Sequence, residues 1–190
     1  MEQIKDVYQQ IRREGILHSA CIRISVQNAR NRLYNGFKSF LGEDAQWIPE
    51  YEEVAKWLTD NEGRGLMLIG SNGRGKSVIA THILPQFFRE QGFGYMVFHA
   101  SELNQQRETI KQYKILCIDD VGIEDIANNF GERINVFMDL MNEVERKDKL
   151  IVITTNLTQQ ALEQRYTTRT TDRINGCCKV IAFNGKSMRK

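Results

Sequence analysis

Leu66-Met67-Leu68-Ile69 runs directly into Gly70-Ser71-Asn72-Gly73-Arg74-Gly75-Lys76-Ser77, a complete G-x-x-x-x-G-K-S loop with an apolar strand in front and a helix expected from Val78. No other stretch constrains the fold as strongly. The glycines let the backbone curl so that successive N–H groups face one anion, and the helix behind the loop directs its positive end to the same point. Lys76 is placed to reach the β- and γ-phosphates, and the Ser77 hydroxyl to hold Mg²⁺. The bland alternative is a glycine-rich turn that happens to contain Lys-Ser. Two later segments weigh against it.

The first is Lys114-Ile115-Leu116-Cys117-Ile118-Asp119-Asp120-Val121-Gly122. So short an apolar run reads as a strand buried on both faces, and its C-terminal end carries two carboxylates to the edge where ligands bind in open α/β sheets. Asp119 suits the Mg²⁺ water shell, and Asp120 suits a general base for an attacking water. The second is Leu150-Ile151-Val152-Ile153-Thr154-Thr155-Asn156, another buried strand with a polar end. Asn156 can orient a hydrolytic water or touch the γ-phosphate; its structural alternative is to cap the helix starting near Thr158.

Together with Thr154-Thr155-Asn156-Leu157 and Arg169-Thr170-Thr171-Asp172-Arg173, these motifs resemble the AAA+ ATPases of the DnaC/IstB type, bacterial helicase loaders and transposase helper ATPases. The resemblance spans about Trp47 to the C-terminus. It implies an αβα P-loop NTPase fold with a mostly parallel five-stranded sheet, using Mg²⁺ with ATP or ADP. Gly70, Ser71, Asn72, Gly73, Arg74, Gly75, Lys76, Ser77 and Val78 would hold the nucleotide, with Ser77 and Asp119 at the metal. By the same resemblance Asn156 is sensor 1, Arg173 an arginine finger for a neighbouring subunit and Arg189 the sensor 2 arginine. A planar, permanently charged fork suits the spread charge of a phosphoryl transition state. Ile48 or Tyr51, just ahead of the first strand, would border the adenine. The implied activity is ATP hydrolysis in DNA replication, with a replicative helicase as partner and a homo-oligomer or partner-driven oligomer as the working form. A transposition helper, a small-molecule P-loop kinase and a non-hydrolysing nucleotide-gated binding module are the alternatives.

Two departures from that family are expected. The run from Ala100 to Tyr113 leaves room for little more than a short helix, so DNA binding through an inserted helix should be weak. The chain stops at Lys190, so a C-terminal helical lid is expected to be lacking.

Elsewhere, Val54 to Leu58 reads as a short helix, Val78 to Arg89 as a helix kinked at Pro85, Tyr95 to Phe98 as a strand, and Arg133 to Arg146 as a long helix after a polar loop at Asn128 to Glu132. Ile22, Val26, Ala29, Leu33, Phe37 and Phe40 recur at helical spacing beside a polar stripe of Arg23, Gln27, Arg30, Tyr34 and Lys38. Residues 1–45 are thus expected to form an N-terminal helical segment suited to gripping a partner or packing on its own domain, ahead of an ATPase domain at 46–190. A formal charge of +2 neither demands nor excludes nucleic acid. Cys21, Cys117, Cys177 and Cys178 lack metal spacing and read as reduced thiols. The three histidines, His18, His82 and His99, show no metal spacing and read as individually satisfied or exposed. With no signal peptide and no membrane-spanning apolar run, a cytoplasmic location is expected.

Overall fold

The computed structural model describes residues 22–125, 127–129 and 132–189. His18, Cys21 and the first 21 residues of the expected N-terminal segment lie outside them. Five strands form one sheet in the order β2-β3-β6-β1-β7: β1 (Gly65–Gly70), β2 (Met96–His99), β3 (Ile115–Val121), β6 (Leu150–Thr155) and β7 (Cys178–Phe183). Every ladder between neighbours is parallel. That pairing explains the uninterrupted apolar runs of the central strands β1, β3 and β6, because helices cover both faces of such a sheet, whereas the edge strands β2 and β7 expose Met96 and Val180.

Alternate residues of the strands feed two cores. Leu66, Leu68, Cys117 and Val152 face one layer; Met67, Ile69, Leu116 and Ile153 face the other. The first layer is covered by α1 (Ala29–Leu41), α2 (Pro49–Thr59) and the helix behind the phosphate loop, α3 (residues 78–90). The second is covered by α5 (Val136–Arg146), α6 (Gln159–Arg165) and α7 (Thr168–Cys177). A single-turn helix, α4 (Arg107–Ile110), and a 3₁₀ turn at Ala100–Glu102 occupy the short connection after β2, as its length predicts.

Three elements differ from the pattern read in the sequence. The helical spacing from Ile22 does not become helix until Ala29, because the backbone of Ile22 to Val26 is engaged elsewhere. Ile24 N–H donates to Asn61 Oδ1 at 2.9 Å, Asn61 Nδ2 donates to the Ile22 carbonyl at 3.0 Å, and Val26 N–H donates to the Leu58 carbonyl at 2.8 Å. Ala29, Leu33 and Phe37 are then buried in the same cluster as Tyr51, Trp57 and Ile79, whereas Phe40 stays half exposed. The helix expected from Arg133 starts at Val136, where the Asn135 side chain caps it by accepting from Met138 N–H at 3.2 Å. Glu132–Ile134 (β5) instead pairs antiparallel with Ala127–Asn129 (β4), a hairpin where a loop was expected. At Pro85 the helix changes form: Val78–Ile83 is π-helical and Leu84–Glu90 is α-helical, together α3. Proline has no N–H to donate and its ring crowds the carbonyl of Thr81 four residues back, which widens the preceding turn.

Candidate nucleotide-binding site

The parallel sheet brings the C-terminal ends of β1, β3 and β6 to one edge, and the three sequence motifs meet there. They line a cleft of about 760 Å³, in the range of small-molecule sites. Its floor is the phosphate loop. Gly73 and Gly75 have φ of +70° and +83°, and a Cβ on Gly75 would lie 2.5 Å from the Tyr51 hydroxyl, so glycine is required by both strain and space.

Lys76 is buried at 4% exposure. Its ammonium donates to the carbonyls of Gly70 and Ser71 and to Asn156 Oδ1, each at 2.8 Å. Burial lowers its pKa; the carboxylates of Asp120 and Asp119 pull against that shift, and the Arg189 charge adds to it. Asn156 continues the chain, its Nδ2 donating to Asp120 Oδ1 at 3.0 Å. The loop lysine, the β6 amide and the β3 carboxylate therefore form one hydrogen-bonded row.

The two aspartates are held differently. The pairing of β3 with β6 slips between Ile118 and Val121, and Asp120 adopts φ +58°, an uncommon left-handed conformation for a residue other than glycine. Such a bulge re-aims a side chain. Buried Thr154 fixes the arrangement: its hydroxyl accepts from Asp120 N–H at 2.9 Å and donates to Asp119 Oδ1 at 2.6 Å. Asp120 lines the cleft, whereas Asp119 is not among its lining residues and its carboxylate is held by Thr154. Among the described residues no group of three or more His, Cys, Asp or Glu side chains is arranged to hold a metal. The Ser77 hydroxyl and the Asp119 carboxylate are oxygen donors of the kind Mg²⁺ takes.

The other expected residues divide between the cleft and its surroundings. Tyr51 lines the cleft from beneath the loop with little solvent exposure, stacked on Phe37 at 4.2 Å between centroids and with its hydroxyl donating to the Arg74 carbonyl at 3.1 Å. Ile48 precedes α2 and packs on the first core; it does not line the cleft. Arg74 turns away toward Glu50. Arg189 does line the cleft, beside Met188. Arg173 lies on α7, 12% exposed, paired through Nε to Glu145 Oε2 at 2.8 Å.

Some lining was not visible in the sequence. Phe40, Leu41, Asp44 and Gln46, at and just beyond the end of α1, form one wall, and Phe40 stacks on His82 of α3 at 4.5 Å. His99 ends β2 beside the aspartates, its Nε2 3.8 Å from Asp120 Oδ2 and its Nδ1 2.7 Å from the Ser101 hydroxyl. Its place at a strand end on the ligand edge was the available signal. Cys117, Cys177 and Cys178 are joined in no disulfide, and no described helix is long and apolar enough to cross a membrane.

Comparison with known proteins agrees with this architecture. DnaI superposes with a TM-score of 0.54 at 19% identity, covering 88% of this chain and 95% of that one. AMPPCP-bound DnaA from Aquifex aeolicus gives 0.54 at 16% identity, covering 75% of this chain and 50% of that one. The DnaC helicase loader gives 0.50 at 19% identity, covering 84% and 93%. These likenesses show a shared α/β fold. No curated protein matches the sequence significantly. The family model described as Novel STAND NTPase 3 matches residues 48–185, from the start of α2 to just beyond β7. The chain therefore belongs to the novel STAND NTPase 3 family.

Proposed function

We propose that this chain is a Mg·ATP-dependent ATPase that acts in DNA replication as a helicase-loader-like switch. The observation that carries the catalytic part is the row Lys76–Asn156–Asp120 along the cleft floor, which joins a phosphate-binding cation to a carboxylate through one amide. Lys76 would leave the loop carbonyls for the phosphates, Asn156 would hold an attacking water, and Asp120 would accept its proton. Mg²⁺, held by Ser77 with Asp119, would neutralise charge on the phosphate oxygens. The likeness to DnaI, DnaC and nucleotide-bound DnaA supports the replication reading and ATP as the nucleotide.

In this reading the working form is an oligomer, alone or driven by its partner, and residues 1–45 recruit a replicative helicase while the buried side of α1 also serves the core. Single-stranded DNA is bound weakly, through phosphate contacts, because the connection holding α4 is short. Arg173 would serve the ATP of a neighbouring subunit after exchanging its Glu145 partner, which makes turnover slow and dependent on the interface. The same pairing favours a second reading, a nucleotide-gated binding module without useful turnover, since a switch needs only that its nucleotide states differ in partner affinity. Affinity capture from native extract with and without ATP tests the assignment. Nucleotide-dependent recovery of a replicative helicase supports it; recovery of a transposase instead, or of the same proteins in both conditions, would overturn it.

A further inference from the structure

Arg74 occupies a variable position of the phosphate loop, yet its side chain is only 11% exposed and does not line the cleft. Its Nη2 and Nε donate to Glu50 Oε1 at 2.7 and 3.2 Å, and its Nη1 donates to the Lys186 carbonyl at 3.2 Å. Glu50 Oε1 also accepts from Asn184 N–H at 3.1 Å, and Glu50 Oε2 is buried without a partner. Backbone bonds complete the attachment: Ser71 N–H to the Phe183 carbonyl at 2.8 Å and Met188 N–H to the Gly73 carbonyl at 2.9 Å. The fit is tight. A Cβ on Gly73 would lie 2.0 Å from the Ser187 hydroxyl, and one on Gly185 2.9 Å from Arg74 Nη1. Residues Asn184 to Arg189 are thereby laid over the phosphate loop, and Met188 and Arg189 enter the cleft.

A largely buried ion pair is costly to desolvate and seldom justified by stability alone. Here it sits where α2, the phosphate loop and the segment after β7 converge. We propose that Glu50 and Arg74 are positioning residues of the nucleotide site, clamping Asn184–Arg189 to the loop so that Arg189 is delivered to the phosphates as a second cation beside Lys76. The inference rests on the cleft being a nucleotide site. Coupling of this kind is reciprocal: a filled loop holds the segment, and a held segment tightens the loop's grip.

The test is a titration with a fluorescent ATP analogue and Mg²⁺ of four proteins: wild type, Arg189→Ala, the double variant Glu50→Leu/Arg74→Met, and the triple variant. Replacing both charges by apolar residues of similar size avoids an unpaired buried charge, so the double variant should fold. Loss of about tenfold in affinity is expected for the double variant and for Arg189→Ala, the size of one charge-assisted contact. The triple variant should bind no more weakly than Arg189→Ala, because the clamp acts through Arg189. Arg74→Lys keeps a charge opposite Glu50 but cannot also span to Lys186, and should lose several-fold. Hydrogen exchange on the wild type gives an independent reading: the Asn184 and Met188 amides should slow when the analogue binds. Clamp variants with wild-type affinity, additive losses in the triple variant, or unchanged exchange would each overturn this inference alone; no binding by the wild type would overturn it together with the nucleotide reading.

Discussion

Phe37→Ala measures how far the N-terminal helix belongs to the ATPase core. Phe37 is fully buried on α1 and stacked on Tyr51 at 4.2 Å with an interplanar angle of 18°. Its ring also lies 3.1 Å from where a Gly75 Cβ would stand, so it packs directly beneath the phosphate loop. Truncating a buried phenylalanine costs about 3–5 kcal/mol, part of it from the cavity left behind, and the lost aromatic pair accounts for about 0.5–1.5 kcal/mol beyond area burial. We expect a loss of about 4 kcal/mol. With a urea m-value of about 2 kcal/mol/M, the unfolding midpoint should fall by about 2 M at unchanged slope. Nucleotide affinity should fall as well, since Tyr51 loses the ring that holds its hydroxyl against the Arg74 carbonyl. Equilibrium urea unfolding followed by tryptophan fluorescence reads the first effect. A loss below about 1 kcal/mol, the range of surface substitutions and mild repacking, would refute the reasoning and return α1 to the status of an appendage.

The aspartates should separate: Asp119→Asn impairs Mg²⁺-dependent binding, whereas Asp120→Asn leaves nucleotide bound and slows hydrolysis, and wild-type turnover by Asp120→Asn would remove it as the base. Arg173→Ala should bind ATP yet lose most hydrolysis, by up to about 10³–10⁵ if the finger acts in trans. Mixed with Lys76→Ala chains, it should recover part of the lost rate; mixtures that co-assemble and stay inactive would sink the trans role. Burial pushes the Glu143 carboxyl up, but hydrogen bonding and charge from Lys147 and Lys149 outweigh it and hold the group below the usual carboxylate range. Its folded pKa thus lies below the unfolded one, so its stabilisation is full above the unfolded value and disappears as pH falls through the folded value. Unfolding curves from about pH 6 to about pH 3 should decline less steeply for Glu143→Gln; an identical decline would contradict the assignment.

What was legible in the sequence was local. The strands at Leu66, Ile115 and Leu150 declare themselves because burial on both faces leaves no polar interruptions, and the loop declares itself because phosphate binding restricts its residues. Reading Ile22 to Phe40 as one helix failed where long-range bonds from Asn61 and Leu58 claimed the backbone before Ala29. Neither the Phe40 wall of the cleft nor the Glu50–Arg74 pair could be read, since each joins residues whose proximity depends on how α1 and α2 pack under the loop. His99 was missed because spacing along the chain carries no trace of the register that sets β2 against β3.

The central claim, that the cleft over Gly70 to Ser77 binds a nucleotide through Lys76, is tested most directly by titrating a fluorescent ATP analogue with Mg²⁺ into wild type and Lys76→Ala. Saturable binding by the wild type, weakened at least about tenfold by loss of the cation facing the phosphates, is the expected result; equal affinity for the two proteins would contradict it.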